Sequence, residues 1–475
     1  MKKFINNKII VAFLVMALVL PFVTFSFTGC EERVEVLKIF NSGEYIADGS
    51  EGSEDVVASF ESWYKEKTGK NIRVEYSVFD TNETMYTQVN NKHADYDLVC
   101  PSDYMVQKML NNDLLLPIGG EEFDEIWADA FSDEDPLDYG LDEDDEITVD
   151  AIMNENLMPL LTAYDPGWET GEFYSVPYMW GTFGILYDIE KIKAIGGEDA
   201  EEDMQSWEAI FGDKYKGHIY MKNSVRDAYA VANIYNSSDE LARLSENFTN
   251  FGDAYHEKLS DCMNYPNENT IDAAEKTLKA QKKNLFAYES DEGKEDLLTG
   301  KSDAALSFVW SCDAGYVIGM EENLNLRYSV PKEGTNVWVD NWCIPKYAGN
   351  VTAAKYFIAF CNLYNTAYEN MWFVGTTVPV RAVAEDISIE IVDPWSAVGE
   401  GEELEDYLCF AELFEEYADE CDEDETCECE WHKYARMYSE CLFPSDETLE
   451  RAAVMTDFDK YNTDIVRMFI RVKAS

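Results

Sequence analysis

The sequence predicts an α/β protein with a mostly parallel sheet, and three observations carry the prediction. Short apolar runs such as residues 96–100, Tyr-Asp-Leu-Val-Cys, have the length and character of buried parallel strands. Amphipathic stretches fall between such runs, so strand and helix alternate along the chain. A length of 475 residues suits two or more domains and a sizeable core.

The elements follow in order. Residues 30–36 read as a charged tether, residues 36–40 as a first strand, and residues 41–45 as a loop. Val57, Phe60, Trp63 and Tyr64 share one side of a helix over residues 56–68. Residues 72–78 form a second strand, and a further helix runs from Thr84 to Asn90. After the run at 96–100, Pro101 breaks the pattern. Ser102 or Asp103 can cap a helix that begins near Met105 and carries Val106, Met109 and Leu110 at helical spacing. In open α/β sheets, ligands bind at the carboxyl ends of strands, in loops of this kind. This loop offers a hydroxyl, a carboxylate and a phenol together.

Residues 121–150 are intensely acidic but lack the D-x-D-x-D-G spacing of a calcium loop, so they read as a solvated insertion and not as a metal site. Residues 173–188 are strongly apolar and aromatic, and residues 300–310 give a strand ending at Trp310. A helix covers residues 353–363. Residues 385–442 form a second insertion, and the final helix carries Tyr461, Ile465 and Met468. There is no internal repeat.

Hydrophobic content of 46% and aromatic content of 14% mark a globular protein. Lys and Arg number 37 against 94 Asp and Glu, a net charge of −57. The basic footprint of a nucleic-acid binder is absent. A negative field favours cationic ligands at long range, although most of these charges read as solvated surface.

The amino terminus reads as a targeting signal, with Lys2, Lys3 and Lys8 before an apolar core over residues 9–27. It ends in Thr28-Gly29-Cys30, which resembles a lipoprotein cleavage site with Cys30 as the lipidated first residue. An uncleaved anchor is the alternative, since the run is long enough to span a bilayer. Either places residues 31–475 outside the cytoplasm. Loss of residues 1–29 would bring the charge to −60. Ten cysteines remain besides Cys30, and an oxidising exterior permits disulfides. Cys409, Cys421, Cys427, Cys429 and Cys441 cluster late in the chain. A disulfide-stapled insertion is favoured there over a zinc site built from Cys427, Cys429 and His432. Cys100, Cys312, Cys343 and Cys361 lie in apolar contexts and read as core. The four histidines, His93, His218, His256 and His432, fall in no nucleophile or zinc motif, so an enzyme is not expected.

Thr81-Asn82-Glu83-Thr84-Met85-Tyr86, followed by Y-D-L-V-x-P-S-x-Y from Tyr96 to Tyr104, resembles the extracytoplasmic solute-binding proteins of polyamine (spermidine/putrescine) ABC transporters. Further matches are S-x-P-Y-x-W-G at residues 175–181, S-W-x-x-x-F with Y-K-G at residues 206–217, and W-x-D at residues 338–340. With insertions, the resemblance covers residues 37–379. It implies a two-lobe periplasmic-binding-protein fold of the second topological type, with ligand in an interlobe cleft and closure by hinge motion. Residues 37–185 would form lobe 1, residues 186–335 lobe 2, and residues 336–384 the return to lobe 1. Residues 385–475 would pack on lobe 2.

The resemblance also implies a site. A polyamine needs carboxylates at the intervals of its ammonium groups, with aromatic walls between them. Candidates are Glu44 and Tyr45 after the first strand, Ser102 and Tyr104, Asp227 with Arg226 beside it, Trp310, Trp338, and Asp340 as the deepest carboxylate. Secondary candidates are Ser42, Trp180, Ser224 and Thr376. Plain readings compete. Trp310 and Trp338 on their own would read as core, Glu44 and Tyr45 as helix caps, and Trp180 and Tyr178 as hinge packing. Three positions depart from the family: Ser42 replaces a ring, Ser224 an acid, and Thr376 a tyrosine. Fewer acids for a third ammonium favour putrescine over spermidine. The expected partners are polyamine, a membrane ABC permease and the membrane itself through Cys30. No nucleic acid or cofactor is expected, and the protein should be a monomer. The rivals are another organic cation such as thiamine on the same fold, or an acidic cell-surface interaction protein that does not transport.

Overall fold

The computed structural model describes residues 34–392 and 430–475, apart from residues 51, 92–94, 247, 290–295, 298 and 320–324. The targeting segment, Cys30, His93 and Cys409 to Cys429 therefore lie outside the described residues. Strand and helix alternate as the sequence predicts. β1 (Glu35–Ser42) pairs in parallel with β2 (Ile72–Phe79) and β3 (Leu98–Val99). Between them run the helices Val56–Thr68 and Asn82–Asn90, capped by the side chains of Asp55 and Thr81. The cap of the first helix is thus Asp55, and neither Glu44 nor Tyr45 serves that role.

Two long strands organise the rest. β5 (Ser175–Asp188) and β10 (Thr335–Pro345) are antiparallel neighbours. β10 continues the first sheet through β3 and β4 (Leu115–Leu116). The second half of β5, from Phe183 onward, turns to β8 (Leu306–Trp310) and β9 (Leu326–Ser329). β6 (Ile219–Lys222) pairs in parallel with β7 (Leu285–Glu289) and β8. Two parallel units are therefore joined by two crossing strands, a two-lobe α/β fold. All fourteen residues of β5 are buried, which explains its continuous apolar sequence.

Three cores support this arrangement. The two-residue period of β1 sends Leu37 and Ile39 to one face and Phe40 to the other. The second lobe closes its own core around Phe183, Trp207, Phe308 and Tyr229. The acidic stretch after residue 120 is not solvated throughout, because its first helix packs inward. Phe123, Trp127 and Ala130 recur at helical spacing and bury in the first core, Ile126 is buried beside them, and the acids of the helix Glu121–Ala130 face outward. The strand expected over residues 96–100 is regular only at Leu98–Val99, because Pro101 follows at once.

Two helices flank residues 393–429. Glu430–Leu442 packs against Arg381–Val392 and contributes Tyr434, Tyr438 and the buried thiol Cys441 to the first core. β11 (Ala452–Val454) then adds to β10, and the last helix, Asn462–Ala474, places Ile465, Met468 and Phe469 in the second core. The carboxyl-terminal segment thus touches both lobes. Among the described residues, no helix is long and apolar enough to cross a membrane.

Candidate functional site

In a strand, residues two apart share a face. Trp338 and Asp340 are both half-buried, while Val337, Val339 and Asn341 between and beside them are buried. A register shift between Asp340 and Asn341 bends β10 at this point. The Asp340 carboxylate receives a hydrogen bond on each oxygen. The Tyr45 hydroxyl donates to Oδ2 at 2.8 Å, and the Ser102 hydroxyl donates to Oδ1 at 2.6 Å. Burial pushes the Asp340 carboxyl above its ordinary range, and the Ser102 and Tyr45 donors pull it back. Burial, and then the Asp340 charge, pushes the Tyr45 phenol well above its ordinary value.

Each donor is itself held. Asn41 donates from Nδ2 to the Tyr45 carbonyl (3.2 Å) and accepts from the Ser42 amide (2.8 Å), which folds the loop after β1. Tyr178 donates to the same Tyr45 carbonyl at 2.9 Å, with the two rings edge to face. Ser102 occupies the N-cap position of the helix Asp103–Asn111 but makes no side-chain cap bond. Its hydroxyl is spent on Asp340, and Asn82 grips it from both sides: Asn82 Nδ2 donates to Oγ at 2.9 Å, and the Ser102 amide donates to Asn82 Oδ1 at 3.1 Å. Trp338 donates from Nε1 to the Thr182 carbonyl at 3.2 Å. Its ring lies against Gly181, where a Cβ would come within 2.6 Å of the ring and 2.5 Å of Ser311 Oγ, so that position must be glycine.

The second lobe brings Asp227 and Trp310 together. Trp310 Nε1 donates to Asp227 Oδ2 at 3.0 Å. Asp227 lies in the first turn of the helix Val225–Asn236, whose N-cap Ser224 accepts from the Asp227 amide. Burial raises the Asp227 carboxyl, against the pull of Ser224, Trp310, Arg226 and Lys222. Arg226 reaches across to the first lobe. Its guanidinium lies 3.8 Å from the centre of the Tyr104 ring and 4.0 Å from that of Phe458, a cation between two aromatic faces.

Asp103 sits beneath this contact, buried, accepting from the Val339 amide at 3.2 Å. Burial raises its carboxyl to about 8, with the Tyr104 amide and Arg226 opposing and the Asp340 charge adding to the rise. A carboxyl raised on folding gives its full stabilisation below its ordinary value and loses it as pH climbs through about 8. Asp103→Asn keeps an acceptor for Val339 and should flatten this fall. Urea unfolding at about pH 5 and about pH 9 measures it: wild type should lose more stability than the variant, and parallel losses would exclude Asp103 as the source.

The remaining candidates are placed differently. Glu44 is exposed on left-handed backbone (φ 54°) at the rim of the loop. Ser42 is half-buried at the end of β1. Trp180 is fully buried, its Nε1 donating to the Val378 carbonyl at 3.1 Å. Thr376 is buried, and its hydroxyl has no hydrogen-bond partner among the described residues. Asn41, Asn82 and Asp103 were not candidates from sequence. Asn82 and Asp103 stand inside the motif stretch itself, but an amide and an internal acid look like ordinary cap residues there. Two open surface depressions, along Asp272, Glu275 and Lys279 and along Lys38, Glu75 and Asp95, lie apart from these residues.

Two α/β units joined by crossing strands, with Trp338 and Asp340 on one crossing strand and Asp227 and Trp310 paired in the second unit, define a two-lobe periplasmic-type binding protein. The match of residues 56–397 to the bacterial extracellular solute-binding protein family covers well over half of the chain, and the chain belongs to that family. It is similar to the spermidine/putrescine-binding periplasmic protein of Salmonella typhimurium, 26% identical over 81% of this chain and 90% of that one. The putrescine-binding periplasmic protein PotF of Escherichia coli is 25% identical over 69% of this chain and 73% of its own length. Among solved structures, the substrate-binding protein PotD of Streptococcus pneumoniae has the same fold, with a TM-score of 0.58 at 22% identity over 93% of this chain and 99% of that one.

Proposed function

We propose that this protein captures a polyamine outside the cytoplasm and delivers it to an ABC permease in the membrane. The observation that carries the reading is Asp340, a carboxylate held by Tyr45 and Ser102 from two separate loops and sharing its strand face with Trp338. An ammonium beside it would gain an ion pair, a ring face and a site already ordered. The relatives, whose names specify spermidine and putrescine, support the same ligand class. Asp227 and Trp310 in the second lobe are then the counterpart for the other end of a diamine, and Arg226 on Tyr104 helps hold the lobes together. Glu44 at the rim would meet the ligand only on closure.

Putrescine is the preferred ligand in this reading. Ser224 spends its hydroxyl on the Asp227 amide and adds no carboxylate, and Ser42 supplies no ring. Titration followed by tryptophan fluorescence should give tighter binding for putrescine than for spermidine; the reverse order would end this preference. Cys30 is proposed as the lipid attachment point, with a monomer tethered at the cell surface. Mass spectrometry of the mature protein should find a diacylated Cys30 at the amino terminus, and an intact residue 1–29 segment would contradict lipid attachment at Cys30.

A further inference from the structure

Two helices of the second lobe concentrate positive charge on a strongly acidic chain. The helix Glu268–Gln281 packs on the last helix, Asn462–Ala474. Residues 272–283 and 464–473 hold seven of the chain's 37 basic residues and three of its 94 acids. Two of those acids are engaged. Glu275 pairs with Lys279 at 2.6 Å and with Arg471 at 2.5 Å, and Asp464 pairs with Arg467 at 3.6 Å. Lys276 and Lys283 are exposed and form no ion pair among the described residues. Lys282 donates to the carbonyls of Lys473 and Ser475, and Lys473 donates to Asn223 Oδ1.

Helical spacing gathers these cations on one surface. Lys276, Lys279 and Lys283 stand three and four residues apart and line one open depression together. On the last helix, Ile465, Met468, Phe469 and Val472 bury, which leaves Val466, Arg467, Ile470 and Arg471 facing outward. Val466 and Ile470 are 44% and 58% exposed, one turn apart, with the two arginines alongside. The Glu275 pairs join the two helices, so the apolar pair and the lysines belong to one continuous surface.

We propose that this surface docks on the anionic headgroups of a lipid bilayer. Clustered Lys and Arg beside exposed aliphatic side chains are the composition that holds a helix at a membrane surface. Charge complementarity selects this face, because the acids that dominate the rest of the chain are repelled by the same headgroups. Screening limits the reach of each charge to about 8 Å at physiological salt, so the local patch and not the net charge decides the contact. The attraction of a few lysines is weak alone, and the attachment proposed at Cys30 raises the local concentration at which it acts. The contact fixes which side of the second lobe meets the membrane. The surface stands on the geometry, and only the local concentration rests on the Cys30 reading.

The test is sedimentation of residues 31–475, which keep every described element and lack Cys30, with vesicles of phosphatidylglycerol and phosphatidylcholine or of phosphatidylcholine alone. Wild type should sediment with the phosphatidylglycerol vesicles only, and rising salt should release it. Lys276→Glu combined with Lys283→Glu should lower that binding by at least about tenfold. Ile470→Ser should lower it severalfold and keep the salt dependence. All three positions are exposed, so the variants should fold and bind putrescine as wild type does. No binding of wild type to the anionic vesicles at low salt, or equal binding of wild type and the double variant, overturns the proposal. Absence of vesicle binding together with slower putrescine uptake by cells carrying the double variant also overturns it, and assigns the surface to an acidic face of the permease. Wild type that binds no polyamine would count against the polyamine reading alone, because the vesicle assay contains none.

Discussion

Replacing Asp340 with asparagine should weaken diamine binding by about 2–5 kcal/mol, from about 30-fold to about 5,000-fold in Kd. The side chain keeps its size, and one of its positions still accepts from Tyr45 or Ser102, so the loops should stay in place. The charge is lost, and an ammonium brought to that point would be desolvated without a partner. The wild-type carboxylate should also show itself in pH. Burial raises the Asp340 carboxyl, and only its ionised form pairs with an ammonium. Affinity should therefore fall as pH drops through the acid range and stay level above it, whereas Asp340→Asn should lack this dependence. Calorimetric titration across pH measures both. A variant that binds as tightly as wild type would remove Asp340 from the site.

Replacing Trp180 with alanine should act on stability and not primarily on binding. The ring is fully buried, packed in the core that includes Phe40, Val99 and Val339, and donates to the Val378 carbonyl. Truncating so large a buried side chain costs about 3–5 kcal/mol through lost contacts and the cavity left behind. Trp180→Phe should cost less, chiefly the unpaired carbonyl and a smaller void. Urea unfolding gives both values, and putrescine titration of the folded Trp180→Phe variant should give a near wild-type Kd. Full stability with lost binding would mean that the ring reaches the cleft.

Much of the fold is legible in the sequence because strand and helix periods are strong there. The helix Val56–Thr68 falls where the spacing of Phe60 and Tyr64 places it, and Trp310 ends a strand as its apolar run implies. In the acidic stretch charge dominates composition and hides the helix Glu121–Ala130, whose packing Phe123, Ile126 and Trp127 decide. The site is legible in part. W-x-D declares its shared strand face, and the Pro101-Ser102 break declares a loop at a strand end. What stays hidden is who holds whom. The bond from Ser102 to Asp340 joins residues 238 positions apart, and no local pattern reports it. Trp180 and Trp338 stand in sequence patterns of similar character, yet one is fully buried and the other half-buried.

The most direct measurement is calorimetric titration of residues 31–475 with putrescine, cadaverine, spermidine and spermine. Tight one-to-one binding of at least one of them, with putrescine ahead of spermidine, is the predicted result. A folded protein that gives no heat with any of the four would contradict polyamine capture, leaving a two-lobe binding protein for a different cation.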